Sequence, residues 1–550
     1  MNAIFDIWTV ILRRSTIVRL YGILLLSFFM GEVGAQYIPI HPTNQVYDFI
    51  TELANEGIVD IGTQTRAGNR RSISNVLSSV DPGLLNVRQQ KELAFYLKDF
   101  NKEQNTSGDF DRRLDLLSYI DSTFSFTVNP ILGGDYWINQ NGNAYHWWNG
   151  AEAWATVGKW GFWGSLRDNH ESEYLTQPDF MNQNYGGANF KVMSTGQVDY
   201  WESRGGVTYD FGIGSVGLIK DHFSWGSNYH GANILSGRTP SFVRLNFEIK
   251  PVEWFEFRYI HGWLNSQVVD STRSFNVSNA YGTDYREMYH GKYIAANFFT
   301  FKPFKSLHLS FGNSIIYDYD DAHVAYFIPI MFYKALDHQL SSGINNMNSQ
   351  MFFDVSARPF KYFHLYSTLF IDELAVKRIN DPDFHNFYSF KIGGRVSNLL
   401  PNAYGGIEYT HSNALTFRHD VPTTTFESNN FNLGHYLEDN SREIFVQIGY
   451  KPIRNMDVNL SWCRAEKGPD NTLLGTMPRT EIEFLSPVVW ESDELALNIS
   501  WQVINDMYLR FGYSFRNVGT GHALSVLNMW TPEFYQGKTG TVSFGVNVGW

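Results

Sequence analysis

The stretch SFVRLNFEIKPVEWFEFRYIHGW, residues 241–263, contains two runs in which apolar and polar side chains alternate. Every odd position from Val243 to Ile249 is apolar, and the alternation resumes at Phe255 after Pro251. A period of two gives a strand one apolar and one polar face. Because proline fixes φ and donates no backbone hydrogen bond, it suits a connecting turn. The stretch therefore predicts a β-hairpin with a tight turn.

The same pattern recurs along the chain. It predicts eight tight turns, near residues 159, 213, 251, 303, 359, 400, 452 and 503. Long polar segments, such as 265–290, 412–440 and 516–539, lie between the hairpins. Short turns at one end and long loops at the other are typical of outer-membrane β-barrels. With a first strand near 124–128 and a last strand at 541–550, we expect an all-β transmembrane barrel of about eighteen antiparallel strands.

The composition agrees with a barrel that has a polar lumen. Aromatic residues make up 16% of the chain, and barrels concentrate Tyr and Trp at the two membrane interfaces. After the N-terminus no apolar run approaches the roughly 20 residues that a spanning helix needs. A soluble β-sandwich is the alternative, but it would not normally expose so many outward Phe and Leu side chains. The net charge of −12 argues against binding to nucleic acid.

Three further features concern the barrel wall and lumen. The tryptophans at 147, 148, 154, 160 and 163 are expected in the interfacial girdle. The apolar segment Val324–Leu336 is too short to span a membrane, so we expect it to fold into the lumen as a plug. Cys463 is the single cysteine, which excludes an intramolecular disulfide.

The N-terminal region reads differently from the rest. Basic residues precede the apolar run Leu20–Met30, and small residues follow at 33–35, so residues 1–35 predict a secretory signal peptide. Residues 36–118 predict three short helices: one from Thr43 or Asn44 to Gly57, one over Ser72–Val80 and one over about Asn86–Phe100. Because isolated helices of this length are marginal, we expect a small periplasmic bundle packed against the lower rim of the barrel. The barrel is expected to span residues 119–550.

The last strand alternates apolar and small or polar residues from Val542 to Trp550. A final strand that ends on an aromatic residue resembles the recognition signal of barrels inserted by the outer-membrane assembly machinery. The expected location is therefore the cell outer membrane, with its lipids and this machinery as partners.

Four segments carry a resemblance to a known family. They are TNQVYDFITELANEGIVDI (43–61), GANILSGRTPSFVRLNFEIKPVEWFEFRYIHGWLNS (231–266), NAYGGIEYTHSNALTFRH (402–419) and GHYLEDNSREIFVQIGY (434–450). With the order of helical bundle and barrel, they resemble the Wzi family of outer-membrane capsule-assembly proteins in its Bacteroidetes-type form. The resemblance covers nearly the whole mature chain. It implies an eighteen-stranded barrel with a periplasmic helical bundle and a non-enzymatic role, holding exported capsular or other surface polysaccharide at the cell surface as a lectin.

Two long loops carry side chains suited to sugars. A glycan site needs aromatic faces for stacking and planar polar groups for hydroxyls, with cations where the glycan is acidic. The loop at 222–238 offers Trp225, Asn228, Tyr229, His230, Asn233 and Arg238, and the loop at 411–436 offers Asn413, Arg418, His419, His435 and Tyr436. The main candidates are Trp225, Tyr229, His230, Arg238, Arg418, His419 and Tyr436. The alternative is that these residues pack the loops together and close the mouth of the barrel.

Catalysis has little support in the sequence. Asp372-Glu373 and Asp221-His222 could suggest acid–base chemistry, but neighbours on a strand face opposite sides and form no dyad. No HExxH, GxSxG or CxxC pattern is present, and the histidines show no metal-ligand spacing. We expect no enzyme activity, cofactor or metal site. The alternatives to a polysaccharide-binding barrel are a channel for small solutes or oligosaccharides and an accessory barrel of a secretion or motility machine.

Overall fold

The chain forms a wall of strands and an N-terminal helical unit. The structure is a computed structural model, and it describes residues 38–62, 64–66, 68–103, 111–121, 123–280, 282–341, 347–374, 386–470, 483–519 and 530–549. The predicted signal peptide and the terminal Trp550 lie outside these residues.

Eighteen antiparallel strands in the described part of the chain pair in sequence order and close into a barrel, as the sequence predicted. They are β1 (Phe124–Asn139), β2 (Gly142–Val157), β3 (Trp160–Glu171), β4 (Val198–Asp210), β5 (Gly214–Lys220), β6 (Val243–Val252), β7 (Phe255–Val269), β8 (Tyr289–Phe304), β9 (Leu307–Tyr317), β10 (Asn348–Ala357), β11 (Phe363–Glu373), β12 (Phe387–Ser397), β13 (Ala403–Ser412), β14 (Ser441–Tyr450), β15 (Met456–Lys467), β16 (Trp490–Ile504), β17 (Met507–Gly519) and β18 (Gly537–Val548). Strand β18 closes the barrel against β1 in a register that pairs Val548 with Leu132.

Short additional strands decorate the barrel. Leu117–Ile120 pairs with the first half of β1, so the boundary predicted between residues 118 and 119 falls within this strand. Lys191–Val192 pairs with β4. Three two-stranded sheets join Thr65–Arg66 to Ser224–Trp225, Phe275–Asn279 to Gly282–Arg286, and Glu427–Ser428 to Phe431–Asn432.

All eight predicted short turns are present, and they share one end of the barrel with the start of β1 and the end of β18. Two of the turns lie about two residues after the prolines, Pro251 and Pro303, at which the sequence placed them. Pro251 lies within β6, where the register with β7 shifts between Ile249 and Val252, and the turn follows at 253–254. Proline fits there because a register irregularity needs no regular ladder hydrogen bond.

Alternation along the strands separates an outer apolar face from an inner polar one. Trp147 is 45% exposed on the outer face of β2, whereas its neighbour Trp148 is 5% exposed and faces the lumen. Trp154 and Trp163 also line a lumen cavity. The girdle prediction was therefore wrong for these three tryptophans, because strand parity places them inside.

The helical unit comprises α1 (Val46–Asn55), α2 (Arg70–Ser78) and α3 (Val87–Phe100), with short 3-10 turns at Pro82–Leu84 and Asn101–Glu103. Its apolar core joins residues of all three helices, among them Phe49, Leu77 and Tyr96. Helix α2 starts two residues before the predicted position because the side chain of Asn69, rather than Ser72, caps it. In the described part of the chain, no helix is long and apolar enough to cross a membrane.

The segment at 318–341, here called the outer segment, does not enter the lumen. It contains a 3-10 turn at Val324–Phe327 and helix α4 (Tyr333–Leu340). Ile260, Ile294 and Ile316 pack with loop residue Trp225 inside the barrel. Their strand neighbours face outward and pack with Tyr326 and Tyr333 of the outer segment. The predicted lumen plug was wrong, since the apolar side chains of this segment cover the outer wall of β7, β8 and β9.

Two outward-facing asparagines hold the outer segment. The amide nitrogen of Asn297 donates to the carbonyl oxygens of Pro329 and Met331, at 3.0 and 2.9 Å. Asn313 accepts from the backbone N–H of Tyr333 at 2.9 Å and donates to Asn297 at 2.8 Å. On the far side, Ile330 is 70% exposed and points away from the barrel. These hydrogen bonds satisfy irregular backbone on a wall that faces lipid, where an unpaired carbonyl is costly.

The assignment of faces on β16 can be tested with neighbouring residues. Leu497 lies on the outer face, and Asn498 lines a lumen cavity. Leu497→Arg places a charge against lipid and is expected to lower the free energy of unfolding by about 2–4 kcal/mol. Asn498→Arg, the matched control, is expected to be tolerated because its side chain points into the lumen. Heat-modifiable gel migration and folding yield report both, and equal damage would contradict the assignment.

The role of Asn297 is tested by Asn297→Ala. The change leaves the carbonyl oxygens of Pro329 and Met331 without this donor, and we expect a loss of about 1–3 kcal/mol in the free energy of unfolding. Urea unfolding in lipid vesicles measures the loss, and proteolysis within 318–341 reports local release. Asn276→Ala, in the exposed hairpin at 275–286, is the control and is expected to change neither readout. Unchanged protease protection in Asn297→Ala would refute the role.

Candidate functional site

The two predicted sugar-binding loops meet inside the barrel. The N–H of Ser236 donates to the carbonyl of Leu433 at 2.8 Å, and the rings of His230 and Tyr436 lie 6.1 Å apart. This packing of one loop against the other corresponds to the alternative given for these residues in the sequence analysis. Within the described residues they form a layer across the lumen.

Trp225 and Arg238 lie within this layer. Trp225 is 2% exposed, and its ring stacks on Phe298 of the barrel wall at 5.3 Å. Arg238 is buried and donates to the carbonyl oxygens of Pro178 and Phe180, at 3.2 and 2.6 Å. Burial lowers the pKa of Arg238 to about 10. In this conformation both side chains hold the loops rather than face open solvent.

Tyr229 and His230 are anchored by a buried pair on the wall. Their backbone N–H groups donate to the carboxylate of Glu408, at 2.5 and 3.1 Å. Lys391 donates both to Glu408 and to the carbonyl of His230, each at 2.7 Å. The guanidinium of Arg395 lies over the Tyr229 ring, 4.5 Å from its centre. Inward-facing charges thus fix the backbone of the first loop.

The second loop is held mainly by ion pairs and hydroxyl contacts. Arg418 lies 2.8 Å from Glu438 and 3.5 Å from Asp470. The His419 imidazole contacts the hydroxyl of Thr424 at 2.8 Å. Tyr436 is buried, and its hydroxyl donates to Glu443 on β14. Arg418 therefore neutralises part of an acidic group instead of standing free for an acidic ligand.

The acid–base pairs considered in the sequence serve structural contacts. Asp372 accepts the backbone N–H of Phe417 at 2.8 Å, which anchors the second loop. Asp221 pairs with Arg204 at 3.2 Å. His222 contacts Glu202 across 2.6 Å, and its ring lies 4.4 Å from the ring of Tyr185 at a tilt of 48°.

The N-terminal unit enters the lumen from the short-turn end. Gln45 donates to the hydroxyl of Ser500 on β16 at 2.8 Å, and the His41 ring lies 5.1 Å from that of Tyr185. Burial is the largest influence on His41 and lowers its pKa well below the usual value. The unit thus contacts both the inner wall and the loop that carries Tyr185.

A buried charge cluster docks the unit on the short turns. Glu52 of α1 pairs with Arg88 of α3 and, at 2.5 Å, with Lys451 of the β14–β15 turn. Burial by itself raises the pKa of Glu52, but the charges of Lys451 and Arg88 outweigh it and bring the pKa to about 2. Nearby, Asn398 of the β12–β13 turn donates to Glu56 at 2.6 Å.

Between the unit, the inner wall of the barrel and the loop residues 175–186 lies a cavity of about 400 Å³. Aromatic rings and charges of both signs line it, among them Trp137, Trp148, Tyr200, Asp135, Arg167 and Glu202. A second cavity has a volume of about 390 Å³. Gln45 and Ser500 line both cavities and lie between them, and Tyr229 lines the second cavity. Pockets of this size and mixed character bind small ligands. Sequence reasoning missed the lining residues of the first cavity, although Asp135 and Trp137 share one parity on β1.

A scan against models of protein families gives no match, and a search of curated proteins gives none either. Among solved structures, the chain is similar to Wzi of Escherichia coli, described as an outer-membrane protein involved in group 1 capsule assembly and a carbohydrate-binding β-barrel. The match covers 93% of this chain and 99% of that one, with 11% identity and a TM-score of 0.57. OccAB2 of Acinetobacter baumannii and OccD3 of Pseudomonas aeruginosa each match 77% of this chain and 98% and 90% of theirs, at 9% identity and a TM-score of 0.42. The expected resemblance to the Wzi family is thus confirmed at the level of the fold.

The docking of the unit is tested by Glu52→Gln. Removing this carboxylate leaves Lys451 buried without its closest anion, and breaking such a pair costs about 3–5 kcal/mol. We expect residues 38–103 to become accessible to protease while the barrel stays folded. Glu253→Gln removes an exposed pair with Lys250 at the same end and is expected to change nothing measurable.

The same contact predicts a pH dependence. Because the pKa of Glu52 in the folded chain, about 2, lies below its ordinary value of 4.5, its contribution is present above pH 4.5 and is lost as the pH falls towards 2. Acid-induced protease sensitivity should therefore be weaker in Glu52→Gln than in the parent. Full protection of the unit in Glu52→Gln at neutral pH would contradict the docking role.

Proposed function

We propose that the protein binds and retains exported capsular or other surface polysaccharide at the cell surface, without catalysis. The observation that carries this proposal is a lumen occupied by loops and the N-terminal unit, which encloses a cavity lined by aromatic and charged groups. A lumen filled in this way favours holding a polymer over passing solutes. The fold shared with a carbohydrate-binding barrel supports the same function.

The proposed topology follows from the two ends of the barrel. Residues 1–35 act as the signal peptide, and the unit within 36–118 lies in the periplasm with the short turns. The long loops then face the cell exterior, and the barrel within 119–550 crosses the outer membrane after insertion by its assembly machinery. This orientation matches barrels that have short periplasmic turns and longer extracellular loops.

The proposed binding surface begins at the first cavity. Rings such as Trp137 offer apolar faces to sugar C–H groups, and Arg167 offers a planar donor group to hydroxyls or acidic substituents. Among the residues predicted from the sequence, Tyr229 lines the second cavity. Trp225, His230, Arg238, Arg418, His419 and Tyr436 remain candidates only for a conformation in which the loops move, so they stay predictions.

The first test is deletion of the gene followed by measurement of polysaccharide in cells and medium. The proposal expects polymer to be made but shed into the medium. Unchanged retention would refute it, and bilayer conductance or capture of partners through residues 38–103 would then support the channel or the accessory barrel.

A paired substitution tests the cavity itself. Trp137→Ala removes an inward ring, whereas Tyr136→Ala removes an outward ring on the same strand. We expect Trp137→Ala to weaken binding of purified polysaccharide about three- to tenfold, corresponding to about 0.5–1.5 kcal/mol for an aromatic contact. Tyr136→Ala should leave binding unchanged. Heat-modifiable migration checks folding of both, and equal affinities in the two variants would exclude this cavity as the site.

A further inference from the structure

Three potential metal ligands, His230, Glu443 and Cys463, have atoms within 4.8 Å of one another where the two loops meet the wall, and His435 lies beside Glu443. His230 comes from the first loop, His435 from the second, Glu443 from β14 and Cys463 from β15. Cys463 is paired in register with inward-facing Phe445, so its thiol points into the lumen beside Glu443. We propose that these residues bind one divalent cation of the zinc class.

The distances suit a tetrahedral ion. Glu443 Oε2 lies 3.5 Å from His230 Nε2 and 3.7 Å from Cys463 Sγ. His435 Nε2 lies 3.7 Å from Glu443 Oε1. With zinc–ligand bonds of about 2.0–2.3 Å, tetrahedral ligands lie about 3.3–3.8 Å apart. An ion among His230 Nε2, Glu443 and Cys463 Sγ would therefore have three ligands, and a shift of His435 towards it would supply the fourth.

Two buried atoms in this cluster lack a hydrogen-bond partner. They are His435 Nε2 and Glu443 Oε1, in residues that are 0% and 1% exposed. Unpaired buried polar atoms cost free energy unless an ion, water or ligand satisfies them. A cation bound between them would satisfy both.

The surroundings hold the ligands in place. The Tyr436 hydroxyl donates to Glu443 Oε2 and orients the carboxylate. The His230 ring stacks on Phe445 at 4.0 Å. Gly231, at φ +68°, passes so close to His435 that a Cβ atom there would lie 2.8 Å from Nε2. The backbone is thus shaped to bring the first loop against the second.

The donor set selects the class of ion. Imidazole and thiolate ligands favour Zn²⁺ and related transition metals over Mg²⁺ or Ca²⁺, which prefer oxygen ligands. On binding, the Cys463 thiol would lose its proton to solvent and form a sulfur–metal bond. The ion would tie both loops to β14 and β15, independently of polysaccharide binding.

The test uses the full chain purified in detergent, stripped with a chelator and titrated with Zn²⁺ or Co²⁺. We expect about one ion per chain and, with Co²⁺, the near-ultraviolet charge-transfer band of a thiolate ligand. X-ray absorption of the zinc form should show one sulfur at about 2.3 Å. Absence of the band and of the sulfur ligand in the parent chain would overturn the proposal, with no variant needed.

Variants identify the ligands. Cys463→Ser should abolish the charge-transfer band, and His435→Ala should weaken Zn²⁺ binding at least tenfold, with folding checked by heat-modifiable migration. His323→Ala, in the outer segment, is the control and should bind as the parent does. Unchanged affinity in both Cys463→Ser and His435→Ala would show that the metal binds elsewhere and would refute the site.

Discussion

The structure depends on a rule that lipid imposes on the backbone. A chain that crosses the hydrocarbon core must satisfy its own N–H and C=O groups, and a sheet does this only when it closes. Closure falls on β1, one edge of which is covered by two separate strands. Strand β18 pairs with its residues 132–138, and Leu117–Ile120 pairs with residues 125–128. The short strand therefore extends the covered edge beyond the end of β18.

Closure fixes which side chains face lipid and which face the lumen. Many charged side chains lie at the strand positions that face the lumen. A charge in a narrow lumen needs a partner, because its hydration there is limited. Glu408 accepts a hydrogen bond from the backbone of the first loop, and Lys391 donates one to it. Lys451 forms an ion pair with Glu52 of the helical unit. Buried ion pairs add little net stability but penalise a wrong arrangement heavily. The charges thus specify the position of the unit and of the loops in the lumen. The stabilisation comes mainly from apolar surface buried in the clusters around Trp225 and Phe49.

The features that the sequence predicted are those that depend on residues close together in the chain. Strand number and short turns depend on alternation within about ten residues, so they were found. Trp148 was placed outside although His146, Glu152 and Thr156 share its parity, and weighing these polar residues would have placed it inside. The four clustered ligands lie up to 233 positions apart, between residues 230 and 463, and no local spacing relates them. Packing of the two loops was considered, but the particular partners of each loop residue in the lumen could not be predicted for the same reason.

The outer segment has irregular backbone on the outer wall of the barrel, and its carbonyl and N–H groups are nevertheless hydrogen-bonded. Asn297 and Asn313 would each be unfavourable if they faced lipid alone, and so would the irregular backbone at 329–333. The asparagines and the irregular backbone satisfy each other's hydrogen-bonding groups. Asn297 donates to the carbonyl oxygens of Pro329 and Met331, and the N–H of Tyr333 donates to Asn313. Neither part is stable in lipid without the other. The segment and the two asparagines are therefore complementary, and the hydrogen bonds between them let both lie on the outer wall of the barrel.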